Sequence, residues 1–390
     1  MKSPLRCLSA LFFCLAAVPQ LASADQSDLR TDMSDLLETF HETYGFPGAT
    51  VAYVASDGVV EPLAVGLADV ESGITMIPDH RMLSASIGKS IWGALVLKLE
   101  ADGTLNRSDR VSSYLGHLAW FSRVPNADQI TIGQLLTHTS GLPDHVHMDG
   151  VGTNLIELGG QAEFDPVDLV SFILDEPALF EAGSAWAYSD TGYVLLGLVL
   201  QKVTQTDVFE LARESLLHPL GLTATDPSNT PTLEGLAVGY TVDGNPFGLP
   251  PRTMDESGRL NWNPVVEWTG GGFAATSDDL ARWGHALFRG RALEADYLES
   301  LLSGVLVHPD APGVLYGAGV AIYQETPHGP VYGHGGWIPG YVSSLRHYAD
   351  HDPTIAFQIN SDVGVVDDST DLVSALEAAL AETAIRYLTQ

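Results

Sequence analysis

The chain has 390 residues, two cysteines and a formal net charge of −31. So acidic a surface repels nucleic acid and anionic lipid, which excludes both as partners. Both cysteines, Cys7 and Cys14, fall in the first 24 residues, so the remainder excludes disulfides, a thiol nucleophile and cysteine-ligated metal. The acids are scattered rather than blocked, which fits either an ordinary solvated surface or one suited to high salt.

Lys2 and Arg6 precede an apolar run, Leu8 to Val18, that is too short to span a bilayer. Ala22-Ser23-Ala24 is a small-residue cleavage pattern. Residues 1–24 are therefore expected to be an export signal, with Asp25 as the mature N-terminus and a periplasmic or secreted product. No later run is long and apolar enough to cross a membrane.

Leu29, Met33, Leu36, Leu37, Phe40 and Tyr44 share a stripe, which predicts a helix over 28–44 stopped by Gly45 and Pro47. Valine-rich runs at 49–55 and 59–67, split by Ser56-Asp57-Gly58, read as a hairpin. Residues 86–205 turn mostly helical, with segments at 86–99, 132–137, 166–174 and 191–203 between Pro- and Gly-rich loops. Another helix, 208–216, ends at His218-Pro219. Residues 223–263 read as long loops with a short strand near 237–242. Gly270-Gly271-Gly272 precedes a helix from Ser277. Strand-like runs follow at 315–324, 331–333, 341–348 and 354–360, then a long helix at 369–388. The pattern predicts an α+β fold: one antiparallel sheet built from both termini and flanked by helices. Residues 25–80 and 265–390 form the α/β part, and 81–264 an inserted, mainly helical domain.

Ser86 and Lys89 stand three apart at the head of a predicted helix, so they share one face. A serine hydroxyl needs a neighbouring base to attack. The chain has four lysines, and only Lys89 has a serine three residues before it. Two further patterns follow, Tyr188-Ser189-Asp190 and His334-Gly335-Gly336. With these three motifs, in this order, the chain resembles the penicillin-recognising serine hydrolases: class C β-lactamases, serine D-Ala-D-Ala carboxypeptidases, D-aminopeptidases and related esterases. That family carries Ser-x-x-Lys, Tyr-x-Asn and Lys/His-x-Gly. Residues 130–142, which contain Leu135-Leu136-Thr137-His138-Thr139-Ser140-Gly141-Leu142, and residues 270–283 are also similar to family segments. The resemblance covers nearly the whole chain after the leader.

It implies a β-lactamase/transpeptidase-like fold and acyl transfer without metal or cofactor. Ser86 would be the nucleophile, with Lys89 and Tyr188 acting as a coupled pair on its proton. The backbone N–H groups of Ser86 and Trp337 would hold the oxyanion. Asp190, His334, Gly336 and Trp337 would line the substrate pocket, with His334 near Tyr188 or a substrate carboxylate. One departure matters: Asp190 stands where the family has asparagine. Ionised beside Lys89, it would hold the lysine protonated and shift the base role to Tyr188, whose phenolate would need positive charge nearby. Alternatively it points away and caps the following helix.

Other patterns carry less. His138, His145 and His147 match no metal-ligand spacing. The Gly-x-Ser-x-Gly elbow of α/β-hydrolases is absent from the sequence. Trp120 and Trp186 are expected in the core and Trp337 in the site. The glycine run 270–272 either lets backbone approach the pocket or makes a plain tight turn. Motifs of this kind fix acyl transfer and not the acyl group. The expected substrate is a small molecule or peptide, cleaved at an ester or an amide. Trp337 crowds the place where a β-lactam or a peptide carboxylate would need room. The rivals are a class C-like β-lactamase and a non-catalytic, penicillin-binding-like module. The presence of Ser86, Lys89 and Tyr188 together opposes the module, which needs no nucleophile.

Overall fold

The structure is a computed structural model that describes residues 23–54, 60–161, 163–294, 296–366 and 369–388. The expected leader through residue 22 and the hairpin tip at 56–58 lie outside the described residues. Twelve strands fall in two sheets among the described residues. In chain order they are β1 (Gly48–Val54), β2 (Val60–Asp69), β3 (Ile74–Thr75), β4 (Met82–Leu83), β5 (Asp226–Pro227) and β6 (Phe273–Ala275). Then come β7 (Val305–Leu306), β8 (Val314–Tyr316), β9 (Ala321–Tyr323), β10 (Val331–Ile338), β11 (Tyr341–Tyr348) and β12 (Thr354–Ile359). The large sheet runs β3-β2-β1-β12-β11-β10-β9-β8-β7, and its pairings are antiparallel. Val51 of β1 lies opposite Leu63 of β2 and Phe357 of β12. The two ends of the chain thus build one sheet, as the strand pattern predicts.

Helix α1 (Ser23–Tyr44) and the C-terminal helix Leu372–Leu388 cover one face. Leu29, Met33 and Leu37 meet Leu372, Leu376 and Leu380 there, over Val51, Tyr53 and Phe357 of the sheet. The opposite face is covered by the helix Ser277–Phe288, through Leu280, Trp283 and Leu287. It packs closely: a Cβ on Gly284 would come within 2.6 Å of Leu345.

Helix α2 (Gly88–Ala101) is buried almost all round, from Ile91 through Leu97. A helix apolar on every side has to lie inside a core. Each such Val, Leu or Ile contributes roughly 1.5–3 kcal/mol by leaving water. Two indole N–H bonds fix the start of this helix: Trp92 donates to Gly271 O (3.1 Å) and Trp283 to Ser90 Oγ (2.8 Å).

Three local expectations are corrected. The run 315–324 is a hairpin rather than one strand, because the chain turns at Gly317 to Val320, closed by a 2.8 Å backbone bond between them. β10 continues past Gly333 to Ile338, because β11 supplies a ladder partner for each glycine, Gly335 opposite Ser344 and Gly336 opposite Ser343. No strand forms over 237–242; Tyr240 makes only isolated bridges to Arg252 and Ser361. There Asn245 clamps the loop back on itself through two bonds to the Leu249 backbone (2.8 and 3.0 Å). No described helix is long and apolar enough to cross a membrane.

Candidate active site

Ser86 sits in the 3-10 turn Ala85–Ile87 that leads into α2. Ala85 has φ 49°, a left-handed conformation that strains a residue with a Cβ. Packing from two sides holds it. Phe273 O accepts from both the N–H and the hydroxyl of Ser84 (2.9 Å each), and Ser343 Oγ donates to Ser84 O (2.8 Å). Glycine is required at the contacts. A Cβ on Gly271 would stand 2.3 Å from Ala85 O, one on Gly336 2.3 Å from Ser84 O, and one on Gly88 2.1 Å from Gly271 O. The glycine run is therefore a close backbone approach, and β10 clasps the nucleophile turn from the other side.

Lys89 Nζ donates to Ser86 Oγ at 3.0 Å, and the Tyr188 hydroxyl donates to the same oxygen at 2.9 Å. Lys89 is fully buried, and its Nζ also donates to Asp190 Oδ1 and Gly270 O. Three acceptors match the three hydrogens of an ammonium. Ser86 Oγ has both lone pairs engaged, which leaves its own hydrogen free to face the cleft. Asp190 is the first residue of the helix Asp190–Thr204 and does not cap it. Ser189 does, accepting from Gly192 N–H at 3.4 Å. Asp190 is free to turn inward to Lys89 for that reason.

The electrostatics depart from the expected phenolate. Burial pushes the Tyr188 phenol well up, and the charges of Asp190, Asp144 and Glu267 push the same way. Burial and these charges together favour the neutral phenol at Tyr188, where a phenolate would need surplus positive charge. Burial also raises the Asp190 carboxyl, while Lys89 pulls it back. His334 is neutral: burial, and then the charge of Lys89, bring its ring down to about 3. Its Nδ1 donates to Gly335 O, so Nε2 accepts from the Tyr316 hydroxyl at 2.8 Å. Its ring centre is 6.3 Å from that of Tyr188, and a neutral ring offers no cation to a carboxylate.

These groups open on a cleft of about 570 Å3. Ser86, Tyr188, Asp190, His334, Gly336 and Trp337 all line it. Trp337 and Trp262 flank Phe247, at 6.1 and 6.4 Å between ring centres, to make an aromatic wall. Trp186, expected in the core, also lines the cleft, whereas Trp120 packs against the core. Among the described residues no group of His, Cys, Asp or Glu side chains is arranged to hold a metal ion.

Three residues were not legible as site residues. Tyr316 has no sequence signal at all. His138 lies in the family-like stretch 130–142, but as a loop histidine it reads as incidental. In the fold it is buried beneath Tyr188 at 4.2 Å between ring centres, and its Nδ1 accepts from Ser189 N–H at 3.1 Å. It thereby holds the backbone between Tyr188 and Asp190. Glu267 lines the cleft, accepts from Gly272 N–H at 2.8 Å, and is raised by burial from 4.5 to about 7.

The Glu267 shift sets a stability slope. A carboxyl raised in the folded state favours folding while protonated and loses that contribution as pH climbs from about 4.5 to about 7. Glu267→Gln is expected to be more stable than wild type at pH 8, by on the order of 2 kcal/mol, and to lose that advantage at pH 4. Urea melts at both pH values measure it.

An antiparallel sheet between helical layers, with a serine, a lysine and a tyrosine meeting at the head of a buried helix, defines a β-lactamase-fold serine hydrolase. Residues 33–380 match the family described as Beta-lactamase, and the chain belongs to that family. Penicillin-binding protein 4* of Bacillus subtilis (strain 168) is 25% identical over 341 residues, which cover 85% of this chain and 72% of that one. Protein flp of Staphylococcus aureus (strain MRSA252) is 29% identical over 227 residues, and the match spans 58% of this chain but only 43% of flp. Among solved structures, a D-stereospecific amidohydrolase from Streptomyces sp. superposes with a TM-score of 0.72 at 25% identity, covering 89% of this chain and 98% of that one. A D-amino acid amidase from Ochrobactrum anthropi SV3 shares the fold, with a TM-score of 0.76 at 23% identity over 92% of this chain and 98% of that one.

Proposed function

We propose that the protein is an exported serine hydrolase that forms an acyl-enzyme on Ser86 and cleaves amide bonds of small molecules or short peptides. The observation that carries this is the double hydrogen bond to Ser86 Oγ from Lys89 and Tyr188, with Asp190 behind Lys89. Lys89 first hands a proton to Asp190, whose carboxyl burial raises, and the lone pair so freed takes the Ser86 proton as Oγ bonds to the carbonyl carbon. The carbonyl electron pair moves onto oxygen, held by the N–H groups of Ser86 and Trp337. Collapse breaks the C–N bond, and the leaving amine takes the proton of Tyr188 while Lys89 returns one to the phenol, so no phenolate is left and Lys89 recovers the proton held by Asp190. Water then attacks the ester in the reverse sequence.

An amide is favoured over a simple ester by the free edge of β10. β9 pairs only with Val331–Gly333, so residues 334–338 have no strand partner on that side among the described residues. That edge lines the cleft. Exposed strand N–H and C=O groups suit an extended peptide, which adds as another strand. The name of the Streptomyces amidohydrolase supports a D-configured substrate.

The test is trapping. After a rapid quench with a p-nitrophenyl ester or a D-phenylalanine p-nitroanilide, digestion should place the acyl mass on the peptide holding Ser86. Labelling of another residue, or equal turnover by Ser86→Ala, would sink the proposal. Export is tested by N-terminal sequencing of protein recovered outside the cytoplasm, which should begin at Asp25.

A further inference from the structure

We infer that Asp362 is a positioning residue for substrate selection: its buried carboxylate fixes the gap between Trp337 and Phe247, the two sides of the aromatic wall. The inference rests on the serine-hydrolase reading above. Asp362 follows β12 by three residues and is fully buried. It does not itself line the cleft, but three segments that do line it meet at this residue. Trp337, Ile338 and Pro339 lead into the turn between β10 and β11, where Gly340 N–H donates to Asp362 Oδ2 at 3.1 Å. Phe247 lies on the loop that follows Tyr240, where Val242 N–H donates to Asp362 Oδ1 at 2.8 Å. Val365 N–H donates to Asp362 O at 3.2 Å.

Two N–H groups from separate segments need two acceptors, and a carboxylate offers an oxygen to each. An amide has one oxygen and would turn its own donors on the second N–H. Burial raises the Asp362 carboxyl, and the two N–H bonds pull it back. The charge is thus held by the two segments that it joins.

Each of those segments is stiff. Gly340 has φ 84°, and a Cβ there would stand 2.7 Å from Thr253 Cγ2. The Tyr341 hydroxyl donates to Ala237 O at 2.7 Å, which seats the turn on the base of the loop. Beyond Val242 the loop tip is closed on itself by the Asn245 bonds to Leu249. On its far side the tip abuts the helix Val151–Gly159, since a Cβ on Gly152 would come within 2.5 Å of Pro246 O. Without the Val242 bond the tip would shift as a unit and carry Phe247 away from Trp337, whose ring centre is 6.1 Å distant. An aromatic side chain on the substrate would lose its flat, apolar contact, and a small one would lose little.

The test compares p-nitrophenyl 3-phenylpropanoate with p-nitrophenyl acetate. Wild type is expected to favour the aromatic ester by about tenfold in kcat/KM, through KM. In Asp362→Asn and in Phe247→Ala that preference should fall to within about twofold. The double variant should be no worse than either single one, because Asp362 acts through Phe247. A merely structural role would lower the melting temperature and leave the preference intact. Asp362→Ser, smaller and uncharged, should show the same fall if Asp362→Asn does not fold. No preference in wild type, a preference that survives in a folded Asp362 variant, or additive losses in the double variant overturns the inference. If neither Asp362 variant folds, the carboxylate serves the fold and not selection, and the inference falls. Turnover of both esters by Ser86→Ala at the wild-type rate would instead sink the serine-nucleophile reading.

Discussion

Lys89→Met is expected to lower kcat by about 10³–10⁴-fold and to destabilise the fold by ~3 kcal/mol. Methionine roughly fills the space but donates nothing to Ser86, Asp190 or Gly270, the three acceptors of Lys89 Nζ. The kinetic loss follows because the serine proton loses its route, and Tyr188 is a phenol pushed away from ionisation. The stability loss follows because Asp190 keeps its place in the core without a counter-charge. Its carboxyl is already raised by burial, and Lys89 is what pulls it back. In the variant it rises further and protonates, which limits the damage at low pH. A carboxyl raised above its unfolded value contributes stability while protonated and loses it as pH rises through the folded value. The deficit against wild type should therefore be smaller at pH 5 than at pH 8 in urea melts. A deficit independent of pH would mean that Asp190, whose side chain is 21% exposed, relieves itself into the cleft.

Asp190→Asn is expected to cost about 10²–10³-fold in the acylation rate, measured as the burst phase with an activated ester. The substitution restores the residue that the family resemblance implies at this position, so a naive expectation is improvement. The geometry says otherwise. The amide oxygen can still accept from Lys89, but it cannot take a proton from it, so the relay from Ser86 stops at a lysine that already carries three hydrogens. The competing mechanism, Tyr188 as the ionised base, gives the opposite sign. Removing the Asp190 charge would ease ionisation of Tyr188, since that charge is the largest electrostatic push on the phenol after burial. A burst as fast as wild type or faster would transfer the base role to Tyr188. Thermal melts should show the variant folded, since the side chain keeps its shape.

Much of the architecture was legible because periodicity is a local property. The leucine stripes of the terminal helices and the valine-rich strands each required a partner face, and only an antiparallel sheet from both ends supplies one. Elements that depend on distant partners were misread. The chain through Gly335 and Gly336 has poor strand propensity, and it extends because β11 lies beside it. The run around Tyr240 is apolar enough for a strand, but the Asn245 clamp folds its neighbour back.

The same division holds for the site. Sequence by itself determined Ser86 and Lys89, because helical pitch places residues three apart on one face, and it singled out Tyr188, Asp190, His334 and Trp337 as residue types suited to acyl transfer. Tertiary structure alone decided how these groups are charged and whom they serve. Asp190 turns to Lys89 because Ser189 takes the cap, and His334 is neutral because it is buried and feels the charge of Lys89. Tyr188 is held as a phenol first by burial and then by the charge of Asp190, to which Asp144 and Glu267, remote in the chain, add. Spacing along a helix is written in the chain, whereas burial and Coulomb interactions depend on distances that exist only after folding.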